Sequence, residues 1–439
     1  MYRFQALPTS RSAEHIEVRH DLPELAESPD PVDFLYSCSR AWRFPPKLSS
    51  VFMLTGSALF YYSQRDAMSY LQKLDAIVND TIAPAAPTTD RDAIFPRAAI
   101  AALGQAGLLG LISASDVGGM GLGLAEAAQV IERIAKACPS TAMVVCMHYA
   151  ATTVLEKFGS ETVRRDIAAG RHLSTLAWSD TGSRSHFWAP VGTARQDGDA
   201  VILNGSKTMV TSAGEADSYI WSSGPMATSG VSTLWLVDSK SAGLSEVKFF
   251  DGMGLRGNRS SPLTATSVRL PASAILGADG AAFDIMIGAV LPVFSTMIAS
   301  CSIGLMEAAL EAACTHVSGS KLEHLGSALA DLPTIRAYLA RARIQADMVR
   351  TLRDDTLHAL ATGRADAMLR VMQVKAAAAE AALEVTDTAM RVCGGAAFRK
   401  DLGVERYFRD ARAASIMAPT SDVLFDFIGK AVCGMPVFG

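Results

Sequence analysis

Leu203-Asn204-Gly205-Ser206-Lys207-Thr208-Met209-Val210-Thr211 carries the first architectural signal in the chain. Apolar and β-branched residues flank an Asn-Gly pair, the dipeptide that most favours a tight turn because both residues tolerate positive φ. The stretch predicts a hairpin, with one strand from Ala200 to Leu203, a turn at Asn204-Gly205 and a return strand from Thr208 to Thr211. Working outward, Ser174 to Trp178, Ser218 to Ser222, Thr233 to Val237 and Thr264 to Leu270 have the same β-forming composition. So many short strands in one region predict an antiparallel barrel or sandwich.

On either side the apolar period changes from two to about 3.6, the helical value. Upstream, Leu71, Leu74, Ile77 and Val78 are followed by Ala98, Ile100, Leu103 and Leu108, and after the glycine-rich loop Val117 to Gly123 by Ala127, Val130, Ile131 and Ile134. Downstream, helical periodicity returns at Phe283 and is expected to persist to the end, with an alanine-rich stretch from Val374 to Leu383 and a helix stop at Cys393-Gly394-Gly395. The reading is an α+β chain with a helical domain at 63–172, a β-domain at 173–282 and a helical domain at 283–439. Prolines at 8, 23, 29, 31, 45 and 46 break any long helix in residues 1–62. That extension is open to three readings: a docking arm, a disordered leader, or an upstream translation start with Met53 or Met68 as the alternative.

The chain has 439 residues, 49% hydrophobic and 19% charged, enough to bury a large core. Its 40 basic and 44 acidic residues leave a net charge of -4 with no extended basic tract, which argues against nucleic acid as a partner. The seven cysteines show neither C-x-x-C spacing nor a metal-type cluster, as expected of a reducing compartment and of no metal site. The apolar run from Val51 to Tyr62 is too short to span a bilayer. The expected location is cytoplasmic, with no membrane span.

Four segments in order, over roughly residues 65 to 435, resemble the acyl-CoA dehydrogenase family. They are Gly107-Leu108-Leu109-Gly110 with Gly118 to Gly123; Leu176-Ala177-Trp178-Ser179-Asp180 leading to Ser185, with His186 where the family has aspartate; the Leu203 to Thr211 stretch; and Val392-Cys393-Gly394-Gly395 through Arg406 to Arg412. The resemblance implies an N-terminal helical domain, a central antiparallel β-domain and a C-terminal helical bundle around a flavin, FAD as the expected form and FMN as the alternative. It implies that Leu176, Trp178, Ser179, Ser185, Met209, Thr211, Arg391, Gly394, Gly395, Thr420 and Asp422 bind the cofactor. Thr211 would contact N5 and Ser179 the polar edge, Met209 replaces a shielding tryptophan, and Gly394-Gly395 would meet the dinucleotide of a neighbouring subunit, hence a homodimer or homotetramer. Each also has a local reading: strand-end hydroxyls bonding backbone, a glycine helix stop, and a Thr420-Ser421-Asp422 helix cap.

The resemblance also exposes departures. The family's catalytic glutamate falls at Ala418 in Met417-Ala418-Pro419-Thr420, an alternative address for that glutamate falls at Phe294, and the neighbouring charges that help hold a thioester are replaced by Pro292 and Ser295. Lys321 stands near a family arginine that faces the FAD pyrophosphate. Among other acid–base candidates, His186 is preferred; His148 reads as a satisfied core histidine, Asp422 as a capping carboxylate and Asp410 as an ion-pair member. The implied activity is α,β-dehydrogenation of an acyl-CoA or other thioester, with hydride transfer to flavin N5 and an electron-transfer flavoprotein as acceptor. Three alternatives stay open: a flavin-dependent monooxygenase or oxidase, a non-redox elimination on an acyl-CoA, and a non-catalytic subunit of a homologous enzyme.

Overall fold

The computed structural model describes residues 70–183, 185–246 and 250–437. The readings of residues 1–62 lie outside them.

The upstream helices form where the 3.6-residue period was read. A helix from residue 70 passes through a π-helical turn at Val78–Ile82 into α1 (Ala83–Arg91), followed by α2 (Arg97–Gln105), α3 (Leu124–Ala137), α4 (Pro139–Phe158) and α5 (Glu161–Ala168). Ala127, Val130, Ile131 and Ile134 are all fully buried on one face of α3. That helix starts where Glu126 Oε2 accepts from the Gly123 amide at 2.9 Å. In the preceding loop a Cβ on Gly119 would fall 2.1 Å from Ser113 O, so glycine is required there for close backbone approach.

The β-domain holds two four-stranded sheets. Strands β1 (Ser174–Ala177), β2 (Thr193–Asp197), β3 (Ala200–Val210), β4 (Ser218–Ser223), β5 (Thr233–Asp238), β6 (Leu244–Glu246), β7 (Ser261–Pro271) and β8 (Ile275–Leu276) are ordered β1-β4-β5-β8 in one sheet and β2-β3-β7-β6 in the other. Two expectations are corrected. β1 pairs with β4 in parallel, so the domain is not purely antiparallel. And Asn204-Gly205 is not a turn: β3 runs straight through it, with a bulge against β7 between Leu203 and Gly205. The Asn204 side chain accepts from the Ser267 amide at 2.8 Å, where Ser267 has φ +52°, and a Cβ on Gly205 would lie 3.0 Å from Gly192 Cα. A bulge and a turn both draw on conformational freedom, which is why the dipeptide alone does not separate them. β2, β6 and β8, polar or very short, were not anticipated.

A short helix (Ala282–Ile285) and a π-helical turn (Met286–Val290) lead into α6 (Leu291–Gly319), and α7 (Pro333–Thr362), α8 (Ala367–Cys393), α9 (Val404–Ile416) and α10 (Ser421–Val432) complete the bundle. The helical stretch is interrupted where a hairpin of β9 (Lys321–Leu322) and β10 (Ser327–Ala328) joins α6 to α7. The Ala282–Gly319 segment is long and apolar enough to cross a membrane by length and composition alone. Here it is the bundle's inner helix: Met297, Ile298 and Cys301 pack with Val130 and Ile131 of α3, while Ile303 and Met306 pack with Val374 and Ala378 of α8.

Candidate active site

One wall of the principal cavity, about 700 Å³ in volume, is set by a buried lysine. Lys207 Nζ lies 2.6 Å from Asp180 Oδ1 and donates to the Ser222 carbonyl at 2.7 Å and its hydroxyl at 2.8 Å. Burial lowers its pKa to about 8, with Asp180 opposing the fall. Asp180 also accepts from the Val191 and Gly192 amides at 2.5 and 3.0 Å, and the Thr208 amide donates to Ser179 O at 2.8 Å. The turn after β1 is thereby fastened to β3. Trp178, Ser179, Met209 and Thr211 come to the same cavity.

The facing wall comes from the turn between α9 and α10. Thr420 caps α10, accepting from Val423 N at 3.5 Å, and the Ser185 hydroxyl donates to it at 3.3 Å. Ala418 lines the cavity two residues earlier. A third wall is the segment Phe250–Ser260. It is anchored by Leu255 N donating to Asp410 Oδ1 at 2.6 Å, by Arg409 Nη1 donating to Met253 O at 2.8 Å, and by Arg256 Nε donating to Asp90 O at 2.8 Å. Arg409 is itself paired with Asp90 at 2.6 Å and Glu405 at 2.5 Å. Complete burial raises Asp410 to a pKa of about 7, against the pull of the Leu255 amide.

The structure thus brings Leu176, Trp178, Ser179, Ser185, Met209, Thr211, Phe294, Ala418 and Thr420 together. It gives His186 and Asp422 a different address, a second cavity of about 470 Å³ shared with Trp188 and Phe427. Consecutive tight turns explain this: the His186 amide bonds Ser183 O and the Ala189 amide bonds His186 O, reversing the chain just after Ser185. Arg391, Gly394 and Gly395 line neither cavity. Arg391 donates to the Tyr338 hydroxyl at 3.2 Å and lies over its ring. Gly394 has φ +56°, and a Cβ on either glycine would meet nothing within 4 Å among the described residues. His148 is a core histidine, with Nε2 3.1 Å from Leu109 O and Nδ1 accepting from Ser174 N at 3.2 Å, and burial lowers its pKa to about 4. Lys321 is exposed in the β9–β10 hairpin.

Sequence reasoning missed the Phe250–Ser260 wall. Its signal was the alternation Gly252-Met253-Gly254-Leu255-Arg256-Gly257, and a Cβ on Gly254 would fall 2.5 Å from Arg409 O. The ionisable side chains at the cavity, among the described residues, are three guanidiniums, Arg256, Arg409 and Arg412, with no carboxylate or imidazole. The lining suits a flat ring with apolar faces and a polar edge. Trp178 stacks on Phe187 with centroids 5.9 Å apart, and its buried Nε1 has no acceptor among the described residues. Ser179 and Thr211, both bearing hydroxyls, line the same cavity. Polar donors beside aromatic surface fit an isoalloxazine.

Comparison with known proteins agrees. Profiles for the N-terminal, middle and C-terminal domains of acyl-CoA dehydrogenases match residues 65–170, 175–268 and 283–433. The chain is 29% identical over 350 residues to the mitochondrial short-chain specific acyl-CoA dehydrogenase of Homo sapiens, covering 77% of this chain and 83% of that one. Among solved structures, butyryl-CoA dehydrogenase from Megasphaera elsdenii superposes with a TM-score of 0.79 at 22% identity over 88% of this chain and all of that one. TdsC from Paenibacillus sp. A11-2, in complex with FMN and indole, superposes at 0.75 with 20% identity over 84% and 98%. At such identities these structures speak to fold. The chain belongs to the acyl-CoA dehydrogenase family. It is an acyl-CoA dehydrogenase-like flavin oxidoreductase of CH–CH donors, in a family that uses FAD.

Proposed function

We propose that the cavity between Thr211, Trp178 and Ala418 holds FAD beside an acyl thioester, and that Ala418 stands where relatives carry their catalytic glutamate. When bound, the flavin supplies a two-electron acceptor for the β-hydrogen of the acyl group. The chain's own contribution is to orient and to shield. Thr211, Ser179, Trp178 and Phe187 would hold the ring, the first two through hydroxyls and the last two through aromatic surface, and the Phe250–Ser260 wall bounds the site beside Arg256. The observation that carries this reading is the convergence of the unpartnered Trp178 indole N–H, the hydroxyl-bearing Ser179 and Thr211 and aromatic surface in one cavity of a chain whose three domains all match the family.

A second reading has an observation of its own. With three guanidiniums and no carboxylate or imidazole among the described lining residues, the cavity suits a reaction in which no α-proton is removed, such as oxygen-dependent oxidation. Electron-transfer flavoprotein is the proposed acceptor for the first reading only. A homodimer or homotetramer belongs to both. The placing of Gly394 and Gly395 outside the cavity supports it, because a Cβ at either position meets nothing within 4 Å among the described residues, which leaves room there for a second copy.

The test is anaerobic addition of acyl-CoAs of graded length to the yellow protein while the visible flavin band is followed. Bleaching is the expected result. No bleaching by any thioester, with rapid oxygen uptake once the flavin is reduced chemically, would replace the first reading by the second. Retained flavin that does neither would make the chain a non-catalytic subunit.

A further inference from the structure

Lys375 is buried on α8, inside an alanine-rich stretch where a lysine would ordinarily reach solvent. Its ammonium spends three donors on three backbone carbonyls: Ala414 O at 3.1 Å, Met417 O at 3.0 Å and Pro419 O at 2.8 Å. Ala414 O belongs to the last turn of α9, where no later amide of the helix is available, and the negative end of the helix dipole lies there. Met417 O and Pro419 O stand on either side of Ala418. One atom therefore gathers the end of α9 and both carbonyls flanking the position that faces the cavity. The far end of the same turn is pinned by Thr420, through the α10 cap and Ser185.

An isolated buried cation is costly, and an apolar side chain of similar length would fill the same space at lower cost. Among the described residues no carboxylate offsets it: burial moves its pKa down to about 7, while three carbonyl acceptors favour the charged form. The Phe294 ring, whose side chain lines the cavity, lies 6.0 Å from Nζ.

We propose that Lys375 is a positioning residue, which holds the Met417–Thr420 turn so that residue 418 faces the acyl group; the catalytic part of this rests on the cavity being the acyl site. The ammonium touches neither substrate nor cofactor. It acts through the backbone it ties.

The experiment compares the wild-type holoprotein with K375M and K375R. Amide hydrogen exchange is read peptide by peptide, flavin content by absorbance, and acyl-CoA-driven bleaching as a rate and a half-saturation concentration. In K375M, exchange across residues 413–424 should rise at least about tenfold, while peptides from α6 and β3 keep wild-type protection. The limiting bleaching rate should fall by about tenfold with half-saturation little changed, and K375R should recover part of both. Unchanged exchange at 413–424, or a rise spread evenly over the chain, would overturn the proposal. So would local loosening with an unchanged bleaching rate. If K375M does not fold, K375R carries the comparison, since a guanidinium cannot place three donors on one point. If no acyl-CoA bleaches the wild type, the acyl-site reading has failed, and the exchange data alone then judge the hold of Lys375 on the turn.

Discussion

Lys207 and Asp180 form an ion pair of 2.6 Å from which solvent is excluded, and it joins β3 to the turn that carries Trp178 and Ser179. Replacing Lys207 by Met leaves the Asp180 carboxylate buried with only two amide donors. Breaking a buried pair from one side costs about 3–5 kcal/mol. K207M should therefore lose that much unfolding free energy in urea titrations and purify with little yellow colour, as read by circular dichroism and the visible flavin band. Wild-type stability with full flavin content would show that the pair does not hold the wall.

Gly254 and Gly252 give a matched pair for the Phe250–Ser260 wall. A Cβ at 254 meets Arg409 O at 2.5 Å and Arg409 C at 2.7 Å, both backbone atoms that cannot step aside, whereas a Cβ at 252 meets nothing closer than Gly254 O at 3.6 Å. G254A should cost about 1–3 kcal/mol and weaken flavin retention, because Leu255 and Arg256 must shift with the loop. G252A should do neither. Thermal melts and flavin-to-protein ratios of the two variants are the check.

The readings that survived contact with the structure were those with repetition behind them. The α3 face, with four apolar residues at helical spacing, and the strands at Ser218 and Thr233 each rest on several residues that agree. The readings that failed rested on one local signal with two physical outcomes. Asn204-Gly205 supplies flexibility, and only Ser267 on β7, 63 residues away in sequence, shows that it is used for a bulge. At the site, the segments after β1 and along β3 were legible because they lie within continuous motifs. Lys375 was not. A lysine among alanines reads as a solvated helix face until the end of α9 is seen above it. The parting of Ser185 from His186 into two cavities was equally invisible, since adjacent residues differ only in which way a tight turn sends them.

His148 gives a pH test with a definite sign. Its folded pKa of about 4 lies below the ordinary 6.5, and the first cause is burial. Between those values the unfolded chain binds a proton that the folded chain does not. Stability is therefore complete above pH 6.5 and declines as pH falls towards 4, by about 3 kcal/mol for a shift of this size. Glutamine can keep both contacts, donating to Leu109 O and accepting from Ser174 N, without titrating. H148Q should lose less stability than wild type between pH 7 and 4.5 in urea titrations. Asp410, raised to about 7, is common to both proteins and cancels in the difference. Parallel pH profiles would show that His148 is not the group responsible.

Ala418→Glu tests the site most directly, because the structure prepares for a side chain there without supplying one that ionises. Residue 418 faces the cavity, and its flanking carbonyls are tied to Lys375. Arg412 lines the same space, while Arg256 and Arg409, which also line it, are already paired with Asp251, Asp90 and Glu405, so it is the Arg412 guanidinium that favours the ionised form of a carboxylate introduced at 418. An ionised carboxylate near the α-carbon of a thioester is what proton removal requires, and a placed general base is worth about a hundredfold to ten-thousandfold in rate. A418E should accordingly raise the anaerobic bleaching rate with at least one acyl-CoA by about a hundredfold, with flavin content and melting temperature close to wild type. A Gln at the same position separates charge from volume, and A418Q should show no such rise. If A418E stays folded and yellow yet responds to no acyl-CoA, the acyl α-carbon does not reach residue 418, and the cavity has been reshaped for chemistry that leaves that carbon alone.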